Sequence, residues 1–156
     1  MPTSRPIAVL VAWDSSAGIT RLSVTTHPGM NFLWIRRPRL TFYFEAIGRE
    51  VTAPPATVEF LVHSQSPQDI VGNRLSFTCD TGTRQAEIVP AFAEKPDILT
   101  INQMLLYRLP VAEFDTLASC AELAVAVGRI HAAFSPEQLA ALRDLAGRMY
   151  PPGGVN

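Results

Sequence analysis

The thirty residues CAELAVAVGRIHAAFSPEQLAALRDLAGRM, Cys120 to Met149, change their apolar period at one serine. Leu123, Val125 and Val127 alternate with Glu122, Ala124 and Ala126, the period of a half-buried strand. Ile130, Ala132 and Phe134 continue in the opposite parity, and a two-residue turn at Gly128-Arg129 resolves the switch. That turn sets Val127 opposite Ile130, Val125 opposite Ala132 and Leu123 opposite Phe134. All six side chains then share one face. Glycine at the first central position supplies the positive φ of a type II′ turn.

Ser135 stops the strand and starts a helix. Its hydroxyl can accept from an unpaired N–H of the first turn, Pro136 sits where a missing N–H costs nothing, and Gln138 completes a capping box. Leu139, Leu142, Leu145, Ala146 and Met149 form one apolar stripe, with Glu137, Arg143, Asp144 and Arg148 off it. Pro151-Pro152-Gly153 ends the helix. The ending thus reads as a hairpin needing a cover and a helix able to supply one.

Upstream, the chain reads as strand after strand. Ile7–Asp14 is an apolar run that reads as a buried first strand; a short signal-peptide core after Arg5 is the alternative, and Pro6 counts against it. Leu22 and Val24, then Leu40, Phe42 and Phe44, then Val58, Phe60 and Val62 mark inward faces of three further strands. Leu75, Phe77 and Cys79 lead into Asp80-Thr81-Gly82, from which Ala86 and Ile88 return. Ile98–Arg108 is apolar on both faces and reads as a central strand with a bulge at Asn102-Gln103. Pro110 opens a short helix with Phe114, Leu117 and Ala118 on one side.

These are about seven strands before the hairpin, joined by connections too short for parallel crossovers. The expectation is one α+β, mostly β domain spanning 1–156. It is an antiparallel β sandwich with a short helix, a late hairpin and a C-terminal amphipathic helix, its ordered core at 7–149 and a tail at 150–156.

Three stretches carry a resemblance: VEFLVHSQS with its polar loop and LSFTCDTGTR, then LPVAEFDTLASC, then AELAVAVGRIHAAFSPEQLAALRDLA. In this order, over residues 57–149, they resemble a layout of uncharacterised bacterial proteins that are often exported or lipid-anchored. The resemblance implies a fold and favours an exported or periplasmic location over a cytoplasmic one. It implies no activity. A lipobox cysteine, part of the anchored versions, is lacking near residue 1.

The chemistry-bearing residues are sparse. A net charge of −1 argues against a nucleic-acid or anionic-membrane binder, and no run reaches the ~20 apolar residues of a membrane helix. Cys79 and Cys120 are too few for a disulfide framework and, on apolar faces, read as buried free thiols. His27, His63 and His131 show no metal-ligand spacing and read as surface histidines, so no metal or cofactor is expected. Glu59 and His63 share a strand face but stand about 13 Å apart, too far for an acid–base dyad. There is no Gly-x-Ser-x-Gly elbow and no phosphate loop, so no catalytic residue is assigned.

One constellation stands out. Trp34, Arg36, Arg37 and Arg39 form a candidate anion-binding patch, because guanidinium groups beside an aromatic ring suit carboxylate, phosphate or sulfate. The competing reading is an edge strand guarded by charge and Pro38. The function read from all this is a non-catalytic binding or protein-interaction module whose partner is a protein or an anionic ligand. A hydrolase with a convergent site and a carrier of small apolar ligands remain open alternatives.

Overall fold

The structure, a computed structural model, describes residues 8–26, 39–64, 75–80, 82–88, 92–94, 103–128 and 130–151. In chain order the elements are β1 (Leu10–Asp14), β2 (Ile19–Thr26), β3 (Arg39–Ile47), β4 (Thr57–Ser64), β5 (Leu75–Cys79) and β6 (Gly82–Ile88). Then follow β7 (Phe92–Glu94), β8 (Gln103–Pro110), α1 (Val111–Ala118), β9 (Leu123–Val127), β10 (Ile130–Ala133) and α2 (Pro136–Arg148). They form a six-stranded sheet in the order β1-β2-β3-β4-β8-β7 and a four-stranded sheet in the order β10-β9-β5-β6. Every pairing is antiparallel. The chain is an α+β protein, mostly β, built as the alternation predicts.

The two sheets meet across aromatic rings. Phe77 of the smaller sheet lies 5.6 Å from Phe60 and 6.4 Å from Phe42 of the larger, and Phe42 stacks on Phe60 at 4.4 Å. Phe114 of α1 and Phe134 after β10 reach the same Phe42 ring at 5.5 and 6.2 Å. Offset and tilted rings at these separations add to the burial of their area. Leu22, Val24, Leu40, Val58, Val62, Leu105 and Leu109 complete the larger sheet's inner face.

The hairpin has the predicted register: Val127 pairs with Ile130 and Val125 with Ala132, and the Phe134 N–H donates to Leu123 O at 2.8 Å. Gly128 takes φ 57°, which a β-branched residue could not adopt without strain. The capping box closes in both directions, with Gln138 N donating to Ser135 Oγ at 3.1 Å and Ser135 N to Gln138 Oε1 at 2.8 Å.

Where α2 packs differs from the expectation. The hairpin face closes on the larger sheet, as the Phe134–Phe42 contact shows, while the α2 stripe meets α1 and β2. Four strands cannot span six, so the helix covers the inner face of β2 that the smaller sheet leaves open. Arg143, off the stripe, donates from Nε to Ala118 O at 3.1 Å and from Nη2 to Cys120 O at 2.8 Å, joining α2 to the end of α1. The Tyr150 hydroxyl donates to Asp115 from the far end of the helix.

Two further expectations are corrected. The first strand is not buried: all five residues of β1 are exposed, and it lies at the edge of the larger sheet. The strand near Ile98–Arg108 runs Gln103–Pro110 between β4 and β7, interior to the sheet as expected. Gln103 pairs in register with Ser64, while Ile98–Asn102 lie outside the described residues. A register shift falls between Leu75 and Phe77 on β5. Lastly, the cysteines are not free thiols. Cys79 and Cys120 form a disulfide, their Cα atoms 5.7 Å apart.

Candidate functional site

The patch proposed from sequence is described at one position. Trp34, Arg36 and Arg37 lie outside the described residues, as does His27. Arg39 opens β3, exposed, directly opposite His63 on β4. Partial burial, and then the Arg39 charge, hold the His63 imidazole below its usual 6.5. A depressed folded-state value means that the unfolded chain takes up the proton first. The stability linked to neutral His63 is therefore full above about pH 6.5 and is lost as pH falls through the folded-state value. Arg39→Ala is expected to move the His63 pKa upward but not to 6.5, because the burial remains. An NMR titration checks this, and an unmoved His63 would show that Arg39 does not neighbour it.

The outer face of the larger sheet carries a ladder of charges. Arg21 is opposite Glu45 and bonds it at 2.7 Å, with its guanidinium 4.5 Å from the Tyr43 ring centre. Tyr43 is opposite Glu59, and Glu59 opposite Arg108. Arg108 Nε stands 3.5 Å from Glu59 Oε2, and Thr57 Oγ1 donates to Oε1 at 3.2 Å. Burial, ahead of the neighbouring charges, raises the Tyr43 phenol. Tyr43, Glu45, Thr57, Glu59 and Arg108 line an open cleft of about 370 Å³. The acid that could serve as a base, Glu59, is thus held by a cation, and His63 stands four residues along β4, opposite Arg39 and out of its reach. On the inner face, burial pushes the Tyr107 phenol up to about 12.

A second cleft, of about 480 Å³, borders the disulfide between Asp80, Glu122, Phe134 and Leu139. Asp80 Oδ1 accepts from Ala121 N at 2.9 Å and Glu122 N at 3.4 Å, pinning the β5–β6 turn to the chain entering β9. Cys79, Asp80 and Cys120 bring ligand atoms within 4.8 Å, a spacing that would suit a metal if the sulfurs were thiolates. The disulfide consumes both. The group is a structural clasp.

The third feature is β1 itself. Among the described residues it pairs with β2 alone, and its other side presents the N–H and C=O groups of every second residue. Its sequence, LVAWD, contains no Lys, Arg or Pro, the residues that usually guard an edge. Leu10, Val11 and Trp13 are 65, 50 and 38 % exposed. Val11 and Trp13 stand opposite buried Leu22 and Thr20, so they project on the inner face at the rim of the sandwich. Beside them lies a cleft of about 530 Å³ between Val51, Tyr150 and the end of α2. The Arg49 guanidinium lies 4.8 Å from the Trp13 ring centre. By contrast β7, at the opposite edge of the same sheet, is three residues long.

Sequence reasoning missed this feature because an apolar run reads equally well as a buried strand or as an exposed one. The absence of Lys, Arg and Pro from LVAWD was the one available signal, and it favours burial just as much. No protein-family model matches the chain, and no significant match to a curated protein or to a solved structure was found.

Proposed function

We propose that the chain is a non-catalytic protein-interaction module that takes an extended segment of a partner onto the β1 edge. The observation that carries this reading is the exposed edge strand β1, which holds no Lys, Arg or Pro and, among the described residues, pairs with β2 alone. Main-chain groups supply affinity in strand addition, and alternate side chains supply selectivity. Here the inward positions of an added strand would lie beside Val11 and Trp13, next to the 530 Å³ cleft. The disulfide supports work in an oxidising compartment, where such bonds persist.

Selection of displayed peptides on the folded protein tests the reading. Peptides with alternating apolar residues should be enriched and should lose binding to Val11→Lys, which places a charge on the half-exposed edge. An absence of enrichment, or equal binding by the variant, would overturn it.

A further inference from the structure

Resting on that reading, we infer that a second copy of this chain is one occupant of the edge, through antiparallel pairing of β1 with β1 about a two-fold axis at Ala12. A two-fold axis normal to a sheet requires opposed positions whose numbers sum to an even total, so that faces match across the junction. Centring on Ala12 uses all five residues of the strand. Val11 then faces Trp13 of the second copy, and Trp13 faces its Val11, both on the inner side. Aromatic and β-branched residues are a favourable cross-strand pair, and two such pairs form at once. Ala12 meets its own copy on the outer face, where a small side chain lets the strands close.

The charges permit this register. Asp14 is the one ionisable residue of β1, and it faces Leu10 of the second copy rather than another acid. Its Oδ1 is already held by Ser16 N at 3.0 Å, Ser16 Oγ at 2.6 Å and Ala17 N at 3.3 Å. Arg21, opposite Ala12 on β2, is neutralised by Glu45, so the row crossing the axis brings no unpaired like charges together. The result is one continuous sheet in which both β1 edges disappear.

The area decides how strong the pairing is. Five residues at ~3.4 Å form a rim about 17 Å long and about 10 Å deep. That is on the order of 200 Å² per copy, against about 800 Å² per partner in a standard interface. Association is accordingly weak and reversible, with a dissociation constant on the order of 0.1–1 mM.

Sedimentation velocity on the full chain from ~10 µM to ~1 mM tests this, with Ala12→Lys and Ala12→Glu as variants. Ala12 is exposed, so both variants should melt with the parent. Each alone sets two like charges face to face at the axis and should weaken self-association by about tenfold or more. An equimolar mixture of the two should recover it, since lysine then faces glutamate. A parent that stays monomeric throughout, a lysine variant that associates like the parent, or a mixture that recovers nothing each overturns the inference. If the parent is monomeric yet binds selected peptides through Val11, the edge serves another protein's strand and the interaction reading stands. If both fail, that reading falls too.

Discussion

Replacing Cys79 and Cys120 together by alanine is expected to lower the free energy of unfolding by about 4 kcal/mol. The sequence separation is 41, and closing a loop of that length removes chain entropy from the unfolded state by roughly this amount. Against a typical total of about 5–15 kcal/mol, the loss is large. The clasp around the bond does not replace it. Asp80 holds Ala121 and Glu122, and Arg143 holds Ala118 and Cys120, but those hydrogen bonds exist only in the folded chain. They cannot restrict the unfolded ensemble. Urea unfolding of the double variant gives the difference directly, and intact mass of the parent under non-reducing conditions should be lower by two hydrogens. A double variant within about 1 kcal/mol of the parent would show that the bond contributes little to stability.

Ending the chain after Phe134 should cost more still. It removes Leu139, Leu142, Leu145 and Met149, all buried, from against α1 and the inner face of β2. At about 1.5–3 kcal/mol for each large apolar side chain, the loss matches the whole stability of an ordinary domain. It also uncovers Leu22 and Val24 and removes the Arg143 link to α1. The expected product binds hydrophobic dyes, has lost its near-UV circular dichroism and aggregates on concentration. A soluble 1–134 chain with a cooperative melt would show that the larger sheet stands without its helical cover.

The features legible in the sequence are those whose causes lie within a few residues. The hairpin register follows from a parity switch around Gly128, and the helix start from Ser135, Pro136 and Gln138. Strand faces such as Leu40, Phe42 and Phe44 follow from alternation, since side chains on a strand must point to opposite sides. β7 escaped because three residues carry no period to read.

What the tertiary structure alone decided depends on which strands become neighbours. Cys79 and Cys120 meet because β5 pairs with β9, placing Cys79 opposite Leu123, three residues after Cys120. Nothing within either cysteine's flank encodes that pairing, so burial was read without the bond. Likewise LVAWD is apolar whether covered or open. Its exposure follows from a count of strands, six facing four with one helix bridging part of the difference, which among the described residues leaves β1 at the uncovered edge. Alternation assigns a side chain to a face, but only the assembled layers determine whether that face has a neighbour.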